Sequence, residues 1–267
     1  MSKRARSFIL IAVLGFLASL AIAQEPEPAQ GRGGGRPRPP AGPAPRLPDG
    51  HPDLGNDKGI WSPNVVPNIA GIDSIGHRQT RVVEKPPDIQ FLPGALEVYK
   101  QRSGTLSKDD PEAHCLPPGN PRMMATPFPF QIYQYPTRVI FLFEGGAHIW
   151  RIIYMDGRQH PKDPNPTFLG DSIGHWEGDT LVADVVGLND QTWLDEVGHP
   201  HSDALHVVER FTRVDSNTLH YQATIDDPKT YAKPWTTSWN IPWRAGEELL
   251  EYICQQNNKD LQHLVGK

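Results

Sequence analysis

The sequence predicts an all-β fold, in which an antiparallel meander of eight or nine strands closes into a barrel. From Phe130 onward, short runs rich in Val, Ile, Tyr, Phe and Trp are separated by turn signals such as Gly145-Gly146, Asp156-Gly157 and Gly178-Asp179. Val, Ile, Tyr, Phe and Trp favour strands, and Gly beside Asp favours the turns between strands. No convincing long helix lies between the runs, which argues against an alternating α/β fold.

The predicted strands follow one another at the spacing of hairpins. They are the runs QIYQY, RVIFLFE, HIWRIIYM, SIGHWE, TLVADVV, the run from Leu205 to Val214, TLHYQATI, TTSWNIPW and LLEYIC. Ahead of them, Pro93 to Arg102 has a proline near its start and Gly104 just beyond its end, which predicts one short helix. The Pro-rich segment from Cys115 to Arg122 cannot form regular structure and predicts a rigid strap.

The N-terminus has the pattern of a secretory signal peptide. Residues 1–23 contain a basic start, an apolar run and the motif Ala21-Ile22-Ala23, which matches an A-x-A cleavage site. We therefore expect a periplasmic or secreted mature protein with no membrane span after cleavage. Residues 24–46 are rich in Pro, Gly, Ala and Arg, which predicts a disordered linker. Residues 47–267 are then expected to form a single domain.

The cysteines and the net charge narrow the possible partners. Cys115 and Cys254 are the two cysteines of the chain. In an oxidising compartment such a pair is more often a disulfide than a redox or metal pair, so we expect a bond that pins the strap against a C-terminal strand. The formal net charge is −5, and no basic cluster follows the signal peptide. Phosphate binding needs concentrated Lys and Arg, so nucleic acid is disfavoured as a partner.

Ionisable side chains are densest between Trp193 and Arg213, around the predicted strand from Leu205 to Val214. Alternation along this strand places two sets of side chains on opposite faces: His206, Val208, Arg210 and Thr212 on one, and Leu205, Val207, Glu209 and Phe211 on the other. One face must be buried, and a buried charge needs a partner. Either His206 with Arg210, or Glu209, is therefore a candidate for a functional site.

Metal-free acid–base catalysis is the first chemistry that fits this stretch. His201 or His206 would act as base, Asp203 or Glu209 would orient it, and Arg210 would stabilise a developing oxyanion. The structural alternative is an ion pair that braces one end of the barrel, formed by Glu209 with Arg213 or by Asp203 with Arg210.

Metal binding is the second chemistry. Zn, Mn or Fe would find nitrogen and oxygen donors in His199, His201, His206 and Glu209. Their spacing departs from the His-x-His-then-Glu order of metal-binding barrels, because a further histidine intervenes. The chain has no Gly-rich phosphate loop, no G-x-S-x-G motif and no CxxC pair, and no other cofactor is indicated.

A ligand-binding mouth is predicted from four further residues. Asp227 follows the end of a predicted strand, and Tyr231 and Trp235 come soon after it. With Trp193 they would form a polar and aromatic rim around a cavity. The alternatives are a turn-capping role for Asp227 and core packing for the tryptophans.

Three motifs resemble those of a known family. They are GHWEGDTLV at 174–182, HSDALHVVERF at 201–211 and TIDDP at 224–228. With Tyr231 and Pro234-Trp235, they resemble a family of secreted bacterial proteins of mostly unassigned activity that are similar to lipocalin-like barrels. The resemblance extends from about Leu47 to the C-terminus. It implies a lipocalin-like barrel, but it implies no activity and no catalytic residue.

The sequence therefore predicts a secreted β-barrel enzyme, a lyase, isomerase or hydrolase that performs acid–base chemistry on a small apolar or carbohydrate-derived molecule. Its predicted catalytic residues are His201, Asp203, His206, Glu209 and Arg210, and its predicted substrate-binding residues are Trp193, Tyr231, Trp235 and Asp227. The alternatives are a lipocalin-like binding protein without catalysis and a His/Glu metal-dependent enzyme. The sequence names neither the substrate nor the oligomeric state.

Overall fold

The structure is a computed structural model that describes residues 40–71, 83–84, 87–105, 107–256 and 258–259. The predicted signal peptide and residues 24–39 of the predicted linker lie outside the described residues. The described chain from Ala41 onward belongs to one compact unit. Within the ranges given above, no helix is both long enough and apolar enough to cross a membrane.

Nine strands close into a barrel, in which each strand pairs with its neighbours along the chain and the first pairs with the last. The strands are β1 (Gly59–Trp61), β2 (Phe130–Tyr135), β3 (Arg138–Phe143), β4 (Trp150–Tyr154), β5 (Asp171–Glu177), β6 (Thr180–Val186), β7 (His206–Asp215), β8 (Thr218–Asp226) and β9 (Trp235–Ala245). The predicted all-β barrel is confirmed. The predicted short helix is also present as α1 (Pro93–Gly104), and a single helical turn, α2 (Gly145–His148), precedes β4.

The β4–β5 junction is the exception to antiparallel pairing in this barrel. Eight junctions are antiparallel, whereas β4 and β5 run parallel and share two residue pairs, Ile153 with Ser172 and Tyr154 with Ile173. A parallel pair needs a crossover connection, which the segment between Met155 and Gly170 provides. The hairpin pattern of the sequence did not predict this crossover.

The C-terminal run LLEYIC was predicted to be a strand, and that prediction is wrong. No strand follows Ala245 among the described residues. β9 already pairs with β1 on one side and β8 on the other, so a closed barrel leaves no edge for a tenth strand. The predicted disulfide is confirmed, since Cys115 and Cys254 are joined with an S–S distance of 2.01 Å. The strap is therefore bonded to an irregular C-terminal segment.

The end of the predicted linker contacts the barrel. Gly42 donates its backbone N–H to Ser216 Oγ at 2.9 Å, and the Ser216 amide donates to the Gly42 carbonyl at 2.9 Å. Arg46 forms an ion pair with Asp179 in the turn between β5 and β6. These contacts are polar, so a composition poor in apolar residues does not reveal them.

Aromatic and aliphatic side chains fill the barrel interior. Strands β7 to β9 alternate between buried and less buried positions, which places every second side chain in the core. The largest fully buried members are Trp61, Trp239, Tyr221, Phe130, Phe141 and Phe211. Several of these rings touch, including Phe141 with Phe211 at 5.2 Å between centroids and Tyr221 with Trp239 at 4.9 Å. Neighbouring rings thus pack against one another in the barrel interior.

Candidate functional site

Strand β7 buries the face that carries Glu209. Val207, Glu209 and Phe211 are fully buried, whereas His206 and Arg210 lie on the partly exposed outer face. The sequence had left the choice between the two faces open. Because Glu209 lies inside the barrel and Arg210 outside it, these two predicted catalytic residues cannot act on one bound molecule.

Glu209 is part of a polar cluster inside the barrel. Tyr221 on β8 donates its hydroxyl to Glu209 Oε1 at 2.7 Å, and Arg151 on β4 forms an ion pair with Glu209 Oε2 through Nη2. Arg151 also donates Nε–H to Ser172 Oγ on β5 at 3.0 Å. Burial and the adjacent Glu209 carboxylate raise the pKa of Tyr221 well above its ordinary value. Tyr221 therefore acts as a hydrogen-bond donor at all physiological pH values.

The guanidinium of Arg151 has N–H donors without a hydrogen-bond partner among the described residues. Arg151 is 3% exposed, and within the part of the chain that the structure describes neither its Nη1 nor its Nη2 makes a hydrogen bond, although Nη2 is in ion-pair contact with Glu209. Arginine has five N–H donors and remains charged throughout the accessible pH range. Buried polar groups are nearly always hydrogen-bonded, so a buried guanidinium with an unused donor is an unusual feature that needs an explanation.

A cavity of about 460 Å³ lies at the β4–β5 junction, and we call it the seam cavity. It forms because the two strands share only two residue pairs, which leaves the first half of β4 without a partner in β5. Its apolar lining residues are Pro117, Ile149, Trp150, Ile152, Phe168 and Leu169, and its polar lining residues include Arg151, Asp171 and Ser172. The cavity thus has both apolar and polar walls, and the buried arginine is one of its lining residues.

A second cavity lies next to Met155 and Gly174, the residues that follow the paired positions of β4 and β5. Its volume is about 470 Å³, and its lining includes Tyr135, Val139, Met155 and Trp176. The ring of Trp176 stacks on His51, with centroids 4.5 Å apart and planes 13° apart. One face of the Trp176 indole is therefore covered by His51.

A chain of histidines and carboxylates runs along the outer surface from the edge of the seam cavity. Asp171, which lines the cavity, lies 2.6 Å from His160 Nδ1, and His160 Nε2 lies 3.2 Å from Asp184 Oδ1. The same oxygen of Asp184 lies 2.9 Å from Nε2 of His206 on β7. His206 was predicted as a site residue, and the structure places it in this outer chain and away from Glu209.

His201 is buried, and hydrogen bonds occupy both of its ring nitrogens. Nε2 lies 2.7 Å from Thr192 Oγ1, and Nδ1 lies 3.1 Å from the carbonyl oxygen of Ser202. Since a carbonyl only accepts, Nδ1 carries the proton and Nε2 accepts from the threonine. Burial lowers the pKa of His201, which favours this neutral form. The arrangement is that of a structural histidine.

His199 is held in a separate buried cluster. Its Nδ1 lies 2.6 Å from Asp195 Oδ2, and its ring stacks on Tyr99 with centroids 4.5 Å apart. The predicted metal donors His199, His201, His206 and Glu209 are therefore distributed over different environments. Among the described residues, no group of three or more His, Cys, Asp or Glu side chains is arranged to hold a metal ion.

The remaining predicted catalytic residues form surface ion pairs. Asp203 pairs with Lys229 at 2.6 Å, and Arg210 pairs with Glu177 at 2.6 Å. The predicted bracing pairs, Glu209 with Arg213 and Asp203 with Arg210, do not form. Arg213 instead donates to the Asp53 carbonyl and lies over the ring of Trp243. Each charge thus has a different partner from the one that proximity in sequence suggested.

The predicted aromatic mouth is closed. Trp193, Asp227, Tyr231 and Trp235 are all less than 5% exposed, so they pack inside the protein and do not form an open rim. Asp227 accepts from the Ser202 amide and hydroxyl and from Thr230 Oγ1, which makes it the predicted turn cap. Tyr231 donates its hydroxyl to the Pro200 carbonyl at 2.7 Å. The structural alternatives stated for these residues agree with their contacts.

Sequence reasoning missed Arg151 and Ser172, which connect Glu209 to the seam cavity. A signal for Arg151 was available, because it occupies an alternate position in the apolar run HIWRIIYM, where the strand pattern points inward. Its partner Glu209 is 58 residues away, so the pairing depends on the closed barrel and not on any local motif.

Comparison with known proteins gives no further assignment: no protein family, no curated protein and no solved structure matches this chain.

Proposed function

We propose that this chain is a secreted β-barrel that binds a small molecule in the seam cavity. The observation that carries the proposal is the two-pair β4–β5 junction, beside which lies a cavity of about 460 Å³ lined by both apolar and polar residues. Ligand sites are typically apolar concavities of ~300 to 1,000 Å³ that contain a few polar groups. Arg151, Asp171 and Ser172 supply those groups here.

The arrangement of ionisable residues favours binding over the predicted catalysis. An acid–base mechanism needs a base, an orienting group and an electrostatic stabiliser within reach of one reacting molecule. Glu209 lies inside the barrel, Arg210 and Asp203 form surface pairs, and His201 has both ring nitrogens bonded. A binding protein needs no such convergence.

Secretion is part of the same proposal. It depends on the signal-peptide pattern of residues 1–23 and on the disulfide between Cys115 and Cys254, a bond typical of oxidising compartments. The resemblance to secreted lipocalin-like proteins points the same way and stays a prediction.

Native mass spectrometry of the mature protein tests the binding proposal. We expect the purified protein to carry an organic mass, and we expect Ile152→Trp to lose it because the larger side chain fills the cavity. Ile140→Trp is the matched control: Ile140 lies opposite Ile152 on β3 with similar burial, and it is not among the residues named for the cavity. Equal ligand mass on wild type and Ile152→Trp would contradict the proposal.

Acid–base catalysis on the outer face is the second candidate, because His206 and His160 converge on one oxygen of Asp184. Carboxylates only accept, so His160 donates to both Asp171 and Asp184 only when both of its nitrogens carry protons. His206 contacts this carboxylate through Nε2, so we assign it as the base, with Asp184 as its orienting group. This pair retains His206 from the predicted catalytic set and replaces Glu209 with Asp184.

Turnover of chromogenic nitrophenyl esters and glycosides tests this second candidate. If it is correct, His206→Ala and Asp184→Asn abolish turnover while the melting temperature stays close to that of the wild type. His220→Ala is the control, because His220 lies on the outer face of the next strand and contacts Asn240 at 3.1 Å. Equal rates in all three variants would rule out a catalytic role for His206.

A further inference from the structure

The second cavity differs from the seam cavity in position and in lining. The two cavities have no lining residue in common. The second cavity has a volume of about 470 Å³, and its walls come from β2, β3, β5, the residues after β4, and residues 46–51, which we call the arm. An inference about this cavity is therefore independent of the function proposed for the seam cavity.

The arm that forms one wall of the second cavity is fixed by polar contacts. Arg46 donates to both carboxylate oxygens of Asp179, at 2.8 and 2.5 Å, and to the Gly50 carbonyl at 2.8 Å. At the other end of the arm, the ring of His51 stacks on Trp176 of β5. A wall held in this way has little freedom to lose when a ligand binds, and such preorganisation favours affinity.

Three polar side chains of the second cavity have unused hydrogen-bonding capacity. Tyr135 is 53% exposed, and its hydroxyl has no hydrogen-bond partner among the described residues. The same holds for the ring nitrogens of His51, a partly exposed residue. Asp49 is exposed, accepts from the His51 amide at 3.0 Å, and forms no ion pair within the described ranges. A molecule in the cavity thus meets donors and acceptors together.

Apolar side chains line the same cavity, and they include Leu47, Pro136, Val139, Met155 and Trp176. A saturated sugar ring has a matching construction. Its C–H groups form apolar faces, and each hydroxyl group at its rim both donates and accepts hydrogen bonds. An amphipathic ring such as Tyr135 packs on an apolar face and leaves its hydroxyl free to bond with the rim.

The charge of the second cavity selects among ligands of this kind. Asp49 is the carboxylate among the lining residues. An acidic sugar would place a second negative charge close to it, which is unfavourable. A cation would be attracted to Asp49, but cation binding by aromatic residues needs open ring faces, and His51 covers one face of Trp176. A neutral sugar uses Asp49 as a hydrogen-bond acceptor at no electrostatic cost.

We infer that the second cavity binds a neutral carbohydrate ring. Tyr135 packs on the C–H face of the ring, and Asp49 and His51 bond to its hydroxyl groups. Asp49 is thereby a specificity-determining residue that disfavours acidic sugars. The protein then has a carbohydrate site in addition to the ligand site proposed at the seam.

Three probes test the inference on the full mature protein: methyl β-D-glucopyranoside, methyl β-D-glucuronide and tetramethylammonium. The glucuronide carries a carboxylate in place of the hydroxymethyl group of the glucopyranoside. Methyl-resolved NMR reads the cavity directly, because Val139 and Met155 line it. We expect the glucopyranoside to shift both signals in a saturable manner, and the glucuronide to bind about fivefold more weakly or worse.

Two pairs of variants assign the roles. Tyr135→Ala should weaken glucopyranoside binding about tenfold, whereas Tyr133→Ala, on the same strand but not lining the cavity, should not. Asp49→Asn should reduce the difference between glucopyranoside and glucuronide, whereas Asp57→Asn, at an exposed position outside the cavity lining, should keep it. If Tyr135→Ala does not fold, the wild-type constants and the Asp49→Asn variant decide the question.

The outcomes separate this inference from the proposed function. No saturable shift of Val139 and Met155 with the glucopyranoside would overturn the carbohydrate site and leave the seam cavity untouched, because that cavity is read at Ile149 and Ile152. Tighter binding of tetramethylammonium than of the glucopyranoside would overturn the ligand class. Unchanged glucopyranoside binding in Tyr135→Ala would overturn the stacking role.

Discussion

Arg151 and Glu209 stabilise the fold only as a pair, because each is a buried charge. Both side chains are at most 2% exposed, and they come from opposite parts of the barrel wall, β4 and β7. Breaking a buried pair from one side leaves the other ion uncompensated, whereas replacing both by apolar side chains is often neutral. The energetic role of the pair can therefore be read from single and double substitutions.

We predict that Arg151→Met lowers the free energy of unfolding by about 3–5 kcal/mol, and that Arg151→Met/Glu209→Leu loses less than the single variant. Urea unfolding followed by circular dichroism measures both. Arg210→Met is the control, because its ion pair with Glu177 is exposed, and we expect a much smaller loss. A double variant that loses as much stability as Arg151→Met or more would contradict the pairing.

His201 should make stability depend on pH. Burial lowers its pKa in the folded protein, so the unfolded chain takes up a proton that the folded protein does not. The unfolded state then binds more protons, and the free energy of unfolding falls as pH drops below about 6.5, by at most ~1.4 kcal/mol per pH unit.

We predict that His201→Gln flattens this part of the stability profile. The measurement is urea unfolding at a series of pH values, and His220→Gln, on the outer face of β8, is the control that should keep the wild-type slope. Identical slopes for wild type and His201→Gln would show that His201 does not titrate differently in the two states.

At the scale of single residues, the sequence identified the correct stretch but not the correct partners. Alternation separated Glu209 from His206 and Arg210, yet the burial of one face depended on which strands β7 joins. Arg151 pairs with Glu209 and Asp184 contacts His206 because the barrel brings their strands together, and such long-range contacts leave no local pattern. Asp227 could be recognised as a turn cap because that role depends on its immediate neighbours.

The disulfide stabilises the fold by linking two irregular segments across most of the chain. Cys115 and Cys254 are 139 residues apart, and the loop between them contains β2 to β9. In the chain-entropy model, closing a loop of this length in the unfolded state contributes about 5 kcal/mol.

We predict that Cys115→Ser/Cys254→Ser lowers the free energy of unfolding by up to this amount while the barrel still forms. Urea unfolding with far-ultraviolet circular dichroism checks both points. The matched control is the wild-type protein under reducing conditions, which should lose a similar amount. An unchanged midpoint in the double variant would show that the bond does not constrain the unfolded chain.

Strand β4 should exchange its amides unevenly. The two residues that flank β4 hydrogen-bond to β3 or its preceding turn: the Ile149 carbonyl accepts from the Phe143 amide, and the Met155 amide donates to the Thr137 carbonyl. The odd-numbered positions of this segment therefore face β3. The amides of Trp150 and Ile152 then point towards β5, where that part of β4 has no paired residue.

We predict faster hydrogen exchange at Trp150 and Ile152 than at Arg151 and Ile153, by at least an order of magnitude. Amide-resolved NMR exchange measures the four rates in one experiment, and each pair of neighbours controls for local sequence. Equal protection along the whole strand would mean that β4 is paired on both sides and that the seam is closed.

At the scale of elements, hairpin-forming strands were predictable because their turns and alternation are local. Three features were not predicted correctly: the strand expected at LLEYIC is absent, β1 was not predicted, and the β4–β5 junction is parallel. Whether a run becomes a strand depends on a free edge, and closure of β9 onto β1 removed that edge. No short sequence motif marks the crossover after Met155, because it involves the whole connection between β4 and β5.

For the molecule as a whole, the proposed function follows from the β4–β5 junction, which is one of the short ladders of the closed barrel and shares two residue pairs. The interior is packed with aromatic rings, so a ligand has room in the seam cavity beside Arg151 and not along the barrel axis. The sequence predicted the barrel class from composition and periodicity. It could not locate the cavity, because the cavity results from missing pairs between two strands.

Methyl-resolved NMR during titration with octyl methyl ketone tests the central claim most directly. If the ligand occupies the seam cavity, the methyl signals of Ile149 and Ile152 shift in a saturable manner, and those of Val139 and Met155 at the second cavity do not. Shifts confined to Val139 and Met155, or no saturable shift at any of these methyl groups, would contradict the account.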